Sequence, residues 1–528
     1  MSTLAGTAAM IRFAARREWV RVPVYLTVLI ASIASTAAQS ESQFATQAER
    51  DDYAATVTGN PGLIAMVGPA YRVTTVGGDT AWQWGAIGAV VVALMSMFIV
   101  GRHTRAEEQT GRSELIRASV VGRNAPTAAT LVVVTAVNAL VAAAVALALI
   151  GLGQPAAGAI ALGASLGGAG LLFAGVALVA MQVNQGTGGA YGLVGAVLGA
   201  SYLLRAAGDV GDGTLSWLSP IGWAQSMRPF AGERWWPLLL LVASAALLAG
   251  AAFALLARRD DGAGLVAPRP GPPRAGALLA HPVGLVARLL RGALIGWATG
   301  LFVAGVSVGL TGQDVESLLG DSEEVERLCG QGRGSLVDNY LAVSLSSMAL
   351  IGTAFSIQAV LRMRGEESAG RAEPLLATAL ARPRWAAGHL VLAAGGAVLM
   401  LAALGLGAGI ADAVASDDAG RLPLLLGSAV ALAPAVWVLT GVAIALFGLA
   451  PRAAAGAWGA LGACFLLLYL GPLLSLPQWL IDLSPYSHVP RLPAAGLTVA
   501  PLVVLTAIAA AFTAAGLVGL RRRDITSG

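Results

Sequence analysis

The segment RAEEQTGRSELIRASVVGR, from Arg105 to Arg123, returns 259 positions later as RGEESAGRAEPLLATALAR, from Arg364 to Arg382. Eight of the nineteen aligned positions are identical, and they include three glutamates, three arginines and a glycine. Only 12% of the chain is charged, so a charged pattern of this length stands out from its background. The repeat predicts a chain built from two related halves.

The composition around these segments is that of a membrane protein. Hydrophobic residues make up 56% of the chain, and the mean hydropathy is +0.74. These values exclude an ordinary soluble domain. They favour an all-α polytopic protein in the bilayer, with no role in binding nucleic acid.

Apolar runs of a length that can cross a bilayer recur along the chain. We predict twelve transmembrane helices, six in each half. They lie near 22–38, 84–101, 126–151, 156–181, 188–204, 235–257, 293–311, 341–360, 386–411, 422–449, 454–474 and 498–520.

The arginines predict the orientation. With the N-terminus in the cytoplasm, the inward segments carry 24 of the 33 basic residues and the outward segments carry 9. This follows the positive-inside rule and places both termini in the cytoplasm of a multi-pass plasma membrane protein. Residues 8–21, which contain four arginines, predict an amphipathic helix on the inner surface and no cleavable signal peptide.

The domain organisation follows from the same repeat. WLSP at Trp217–Pro220 precedes a span that ends in Arg-Arg-Asp, and DLSP at Asp482–Pro485 precedes another such span. We therefore expect two parallel six-helix repeats, residues 1–257 and 285–528. Residues 258–284 are rich in Pro, Gly and Arg and read as a cytoplasmic linker.

Each copy of the duplicated segment falls on the cytoplasmic loop between the second and third spans of its half. We expect a short helix there, about 104–120 in the first half and about 363–380 in the second. On such a helix Glu107, Gly111 and Glu114 form one stripe, and Glu108 precedes Arg112 by four residues, as in a favourable ion pair. The second copy repeats this with Glu366, Gly370, Glu373 and the pair Glu367 and Arg371.

Charged loops beside a membrane usually serve only as solvated anchors. Duplication of the spacing, with a glycine kept inside each expected helix at a cost of about 1 kcal/mol, favours a docking surface. The expected docking residues are Arg105, Glu107, Glu108, Gly111, Arg112, Glu114, Arg364, Glu366, Glu367, Gly370, Arg371 and Glu373.

The pattern of a Glu pair, Gly, Glu, Leu and Arg resembles the cytoplasmic coupling helix of ABC-2-type exporter permeases. It is most similar to the tetronasin or polyketide-antibiotic branch, in which both six-span halves are fused. The resemblance extends to NPGLIAMVGPA at Asn60–Ala70, to LVDNYLA at Leu336–Ala342 and to the closing RRRDI. Val120-Val121 and Ala379-Leu380 depart from the usual Pro-Val, and Pro374 departs from the usual Leu.

The resemblance implies a permease that exports amphipathic compounds, such as antibiotics and drugs. Each coupling helix would rest on a separate ATPase subunit, present in two copies, which would bind ATP and Mg. Independently, this sequence contains no lysine, whereas a P-loop requires one. We therefore expect no enzyme activity from this chain alone.

The resemblance also implies a central cavity between the second and fifth spans of the two halves. Aromatic and methionine side chains suit such a cavity because they offer contact area and adaptable packing. Separately, the polarity of Gln182 and Gln358 within the spans indicates either a cavity lining or an interhelical hydrogen bond, with neither favoured. The expected substrate path comprises Trp84, Met97, Phe98, Gln182, Tyr202, Met348, Phe355, Gln358, Trp458, Phe465 and Tyr469.

Other chemistry finds little support. The four histidines are scattered without metal-ligand spacing, so we expect no metal site and no catalytic residues. A proton-driven secondary multidrug transporter remains an alternative, although the sequence assigns every carboxylate outside the span interiors. A lipid exporter of the same ABC-2 class is a further alternative, and a membrane-embedded lipid enzyme would need a polar cluster that the loops do not display.

Overall fold

The computed structural model describes residues 2–523 except 44–45, 113, 115–117, 119, 261, 267–272, 275, 277–278, 280, 313–334 and 474–475. The chain divides into two compact units, Met1–Pro270 and Gly271–Gly528. In its described part the secondary structure is helical, without strands. The prediction of an all-α polytopic membrane protein is confirmed.

Unit 1 contains an N-terminal helix, the spans and short connecting helices. In chain order they are α1 (Thr7–Glu18), α2 (Arg21–Gln43), α3 (Gln47–Thr58), α4 (Pro61–Val67), α5 (Val76–His103), α6 (Arg105–Gln109), α7 (Ala125–Gly151), α8 (Ala156–Val183), α9 (Thr187–Val210), α10 (Pro220–Gln225) and α11 (Trp236–Arg258).

Unit 2 contains long helices joined by short ones. They are α12 (Pro282–Gly312), α13 (Leu336–Ser368), α14 (Ala372–Leu376), α15 (Arg382–Ser416), α16 (Arg421–Val430), α17 (Ala433–Leu449), α18 (Gly456–Leu473), α19 (Gln478–Ile481) and α20 (Val499–Arg522).

Eleven helical stretches in the described residues are long and apolar enough to cross a membrane, with Arg21–Ser42 the first and Val499–Arg522 the last. The pair α16 and α17 forms one of them, Arg421–Leu449. The one remaining expected span, near 454–474, corresponds to α18, whose apolar part, Gly456–Tyr469, is shorter.

Several helices extend beyond their apolar runs because helical backbone hydrogen bonding continues through the polar residues that flank those runs. Helix α5 begins at Val76, eight residues before the expected start near 84. The Thr75 hydroxyl accepts a hydrogen bond from the Gly78 amide at 3.2 Å and so caps the helix. Hydrophobicity alone does not detect such a start.

The interior of unit 1 centres on α8, which packs against α5, α7 and α11. Leu162, Leu166 and Phe173 on α8 are fully buried. A methyl group at Gly163 would lie 2.2 Å from the carbonyl oxygen of Ala142 on α7. Small residues therefore let these backbones approach closely, as in other membrane helix pairs.

Unit 2 uses the same device between α12 and α15. A methyl group at Gly305 would lie 2.1 Å from the carbonyl oxygen of Leu404. A methyl group at Gly407 would lie 2.2 Å from the carbonyl oxygen of Phe302, so the contact is reciprocal. Each unit thus has a tightly packed helical frame.

Candidate functional site

The first repeat segment, residues 105–123, is not one helix. Helix α6 ends at Gln109, and Gly111 adopts φ 72°, in the left-handed region. Helical backbone resumes at Arg112 and includes Glu114, while 113, 115–117 and 119 lie outside the described residues. The expectation of a continuous helix over 104–120 is therefore wrong, because a left-handed residue ends an α-helix.

The second repeat segment, residues 364–382, breaks at the equivalent glycine. The span α13 continues to Ser368 and contains Glu366 and Glu367. Gly370 adopts φ 69°, and α14 follows at Ala372. The expected helix over 363–380 is wrong for the same reason, and Pro374 lies within the first turn of α14, where proline is tolerated.

The two glycines are needed for their backbone conformation. A methyl group at Gly111 or at Gly370 would meet nothing within 4 Å. Close approach of a neighbouring backbone within the unit does not explain them. The positive φ explains both glycines, because that conformation costs residues with a Cβ about 1 to 2 kcal/mol.

The second glutamate of each motif is bound to the end of the last span of its unit. Arg259, directly after α11, donates from Nη1 to Oε2 of Glu108 at 2.9 Å. Arg523, directly after α20, donates from Nη2 to Oε2 of Glu367 at 2.8 Å. The expected pairs Glu108 with Arg112 and Glu367 with Arg371 do not form, because the glycine turn removes helical i to i+4 geometry.

The last arginine of each segment adds a second contact between that segment and the end of the last span. Arg123 donates to the carbonyl oxygen of Leu256 at 2.8 Å. Arg382 donates to the carbonyl oxygen of Arg523, also at 2.8 Å. Sequence reasoning found the repeated Arg-Arg-Asp after each last span but did not connect it with the duplicated segment.

In unit 1 the contacts between the segment and the last span extend into the interior through Arg105, which is 1% exposed. Its guanidinium donates to the Met181 carbonyl oxygen at 2.7 Å and to Glu108 Oε2 at 2.6 Å. Gln182, the next residue on α8, accepts a hydrogen bond from Arg259 Nε at 2.7 Å. Gln182 therefore belongs to this buried network and not to an open substrate path.

The first glutamate of each motif has different partners in the two units. Glu107 pairs with Arg17 of the N-terminal helix α1 and has Arg112 at 3.9 Å. Glu366 accepts from Arg371 Nε at 2.7 Å. It also lies 3.4 Å from Arg362 Nε, one turn earlier on α13.

A second contact holds α1 against the end of α5. Glu18 is 2% exposed, and it lies 2.7 Å from Arg102 Nη1 and 2.8 Å from His103 Nε2. Burial by itself would raise the pKa of Glu18, but the hydrogen bond with His103 and the charge of Arg102 outweigh it and lower that pKa. Glu18 is thus an anion at neutral pH.

The remaining charges of the motif face outward. Arg112 and Arg371 expose 60% and 62% of their side chains. Glu114 and Glu373 are also exposed, and Arg364 is half-buried. Each segment therefore has a bonded part before its glycine, exposed charges shortly after the glycine, and a final arginine bonded to the end of the last span.

The expected substrate-path residues fall into three groups. Met97 and Phe355 are buried in the packed interior of their own units, as is Gln182, which leaves them no open surface there. Trp84, Tyr202 and Met348 are half-buried. The exposed members are Phe98, Gln358, Trp458, Phe465 and Tyr469.

Two of these residues have structural hydrogen bonds. Trp84 donates from Nε1 to the Thr36 hydroxyl at 2.9 Å, and Tyr202 donates to the carbonyl oxygen of Met66. Phe465 and Tyr469 lie with ring centroids 4.7 Å apart and form an exposed aromatic pair. A lining role for the exposed group stays a prediction.

Unit 1 has a small cavity beneath α1, lined by Phe13, His103, Glu107, Thr130 and other residues. Its volume is about 50 Å³, whereas small-molecule sites measure about 300 Å³ and more. The cavity suits ordered water better than a drug. Among the described residues no group of three or more His, Cys, Asp or Glu side chains is arranged to hold a metal ion.

Comparison with known proteins agrees with this architecture. Residues 279–521 match the family model described as the C-terminal domain of the multidrug efflux system permease Rv1217c. Over 528 residues the chain is 38% identical to the multidrug efflux system permease protein Rv1217c of Mycobacterium tuberculosis strain H37Rv. This match covers 99% of this chain and 96% of the related protein. The chain therefore belongs to the family of the multidrug efflux permease Rv1217c.

Proposed function

We propose that this protein is the membrane permease of an ATP-driven exporter of the ABC-2 type, in the tetronasin or polyketide-antibiotic branch. It moves amphipathic compounds such as drugs out of the cell through the plasma membrane, with both termini in the cytoplasm. Two copies of a separate ATPase subunit bind the repeat segments. The related permease carries multidrug efflux in its name, which supports the substrate class.

The observation that carries the proposal is the division of each repeat segment at its glycine. The part after the glycine exposes Arg112 and Glu114, or Arg371 and Glu373. The part before it is bonded to the last span through Glu108 or Glu367. An external protein that pulls on the exposed part would therefore move the second, third and last spans of a unit together.

The lack of lysine supports a separate motor subunit. A phosphate-binding P-loop places a lysine on the nucleotide phosphates, and this sequence has none. ATP and Mg would then bind to the partner subunits.

A proton-driven transporter remains the second candidate because some carboxylates lie within the long helices. Asp79, in the first turn of α5, and Asp412, near the end of α15, are buried. Each has a structural partner: Tyr53 donates to Asp79 at 3.2 Å, and Arg421 binds Asp412. These contacts favour structural roles over proton transfer.

Co-purification tests the proposal. We expect the chain to recover an ATPase with a Walker A motif from its native cells, and the pair to hydrolyse ATP faster when drugs are added. Glu114→Arg combined with Glu373→Arg should abolish recovery while the chain stays folded. The matched control is Glu41→Arg with Asp52→Arg, two exposed acids near the end of α2 and in α3, which should leave recovery intact.

Two results would overturn the proposal. One is vigorous ATP hydrolysis by the purified chain alone. The other is drug transport in vesicles that follows an imposed proton gradient and needs no ATP.

A further inference from the structure

Helix α1 has two chemically distinct faces. Its inward face contains Ala14 and Glu18, which are 4% and 2% exposed and lie one turn apart. Its outward face presents Arg12 and Arg16, which are exposed and also one turn apart. Because residues four apart share a helix face, the two arginines form one basic patch.

The outward charge of this region is entirely positive. Glu18 is the only acid among residues 1–30, and it is buried against Arg102 and His103. Arg12, Arg16 and Arg21 carry positively charged guanidinium groups. Arg12 and Arg16 therefore attract anions, and Arg21, which lies 3.9 Å from the carboxylate of Glu18, adds a third positive charge beside them.

Apolar side chains border the basic patch where α1 meets the first span. Trp19 and Val20 are 74% and 59% exposed, and Phe13 is 46% exposed. The span α2 begins directly afterwards, at Arg21. Exposed tryptophan beside arginine at the end of a span is typical of the boundary between a bilayer and water.

The same helix is bonded to the first repeat segment. Arg17 pairs with Glu107. Before α1 begins, the carbonyl oxygens of Ala5 and Thr3 each accept a hydrogen bond at 2.9 Å, from the amides of Gly122 and Asn124. Anything that holds α1 in place therefore also restrains both ends of this segment.

We propose that anionic phospholipids of the inner leaflet bind the outward face of α1 through Arg12, Arg16 and Arg21, and thereby stabilise the first repeat segment but not the second. Charge complementarity selects the lipid, since phosphate headgroups of the adjoining leaflet face the basic patch at high local concentration. Lipid binding itself needs no ATPase. Its effect on docking of an ATPase rests on the function proposed above.

Hydrogen exchange of the purified chain in nanodiscs tests this inference without a partner protein. Phosphatidylglycerol mixed with phosphatidylcholine should slow exchange of the amides in Arg105–Gln109 about tenfold relative to phosphatidylcholine alone. Exchange in Ala372–Leu376 should not respond to the lipid. Inorganic phosphate added to phosphatidylcholine discs should have no effect, which separates a headgroup in the bilayer from a free anion.

Variants assign the effect to α1. Arg12→Gln combined with Arg16→Gln should abolish the slowing, whereas Arg12→Lys combined with Arg16→Lys should retain it. Arg384→Gln combined with Arg452→Gln removes the same charge from exposed positions in unit 2 and should also retain it. Equal exchange in the two lipids, or an unchanged response in the glutamine variant, would overturn the inference whether or not an ATPase binds.

Discussion

The two repeat segments share a motif but are held in different ways. In both, a glutamate binds an arginine after the last span, and a left-handed glycine follows. In the first segment, however, Glu107 is bound from outside by Arg17 of α1. In the second, Glu366 is bound by Arg362 of α13, on which it lies, and by Arg371, which follows the glycine of the same segment.

This difference separates what the repeated sequence requires from what its surroundings add. The glutamate-to-span contact and the glycine turn depend on residues that occur in both copies. The extra restraint on the first segment depends on α1, which precedes the first span. Equal motifs are therefore held by unequal surroundings.

The largest contrast should come from the internal glutamates. Glu108→Gln leaves two guanidinium groups, those of Arg105 and Arg259, buried without an anion. We expect it to lower the free energy of unfolding by about 3 to 5 kcal/mol. Among the described residues Glu367 pairs with Arg523, so Glu367→Gln should cost about 2 kcal/mol.

SDS-induced unfolding of the purified variants would measure this contrast. Glu114→Gln, an exposed change in the same segment, serves as the control and should be nearly neutral. Equal losses at Glu108 and Glu367 would contradict the buried network described for unit 1.

The contacts of Glu18 with Arg102 and His103 should make the attachment of α1, which only the first segment has, dependent on pH. Because its folded-state pKa is below the ordinary value of 4.5, its stabilisation is fully present above that value and is lost as the pH falls through the folded-state pKa. A spin label at Ala9 should stay immobile from neutral pH down to about that ordinary value and become mobile only in stronger acid.

Glu18→Gln should remove this transition and cost about 1.5 to 3 kcal/mol, the range for a hydrogen bond to a charged group. Labels on α14 should show no such transition, since α1 does not belong to unit 2. Release of α1 between pH 7 and 5 would contradict the assigned role of Glu18.

The glycines should behave alike in the two segments. Gly111→Ala and Gly370→Ala should each cost about 1 to 2 kcal/mol, because alanine resists positive φ while the space around each position is open. Asparagine at the same positions should restore part of the loss, since it tolerates this conformation better.

Gly250→Ala provides a matched control within α11, where a methyl group also meets nothing within 4 Å. That change should be neutral or stabilising because alanine favours a helix. Neutral alanine variants at both turns would show that the left-handed conformation is not required.

The smallest effects on stability should come from the exposed arginines. Arg112→Gln and Arg371→Gln should each change the free energy of unfolding by less than about 0.5 kcal/mol. If an ATPase binds both segments, each variant should still weaken its recovery. Loss of stability without loss of recovery would assign these residues to the fold.

Much of the architecture could be predicted from the sequence because hydrophobic runs and repeats are local signals. The twelve expected spans correspond to long helices, with α18 shorter in its apolar part. Helix ends were less predictable, as at Val76, because a capping threonine extends α5 beyond its apolar run.

The candidate site was predictable only as a location. The motif identified the loops, but the expected glutamate stripes failed because Gly111 and Gly370 turn the chain. Gln182 was placed on a substrate path from its polarity alone, whereas its partner is Arg259. A buried polar side chain gives the same sequence signal in either role.

By itself the sequence indicated a duplicated, all-helical membrane protein with charged loops at equivalent places, since composition, span length and repetition are local signals. Only the tertiary structure decided which charges of each loop are internal and which are exposed. The reason is distance along the chain: Glu108 and Arg259 are 151 positions apart, and Glu367 and Arg523 are 156 apart. Packing of the last span against the loop brings these charges together, and no local pattern encodes that packing.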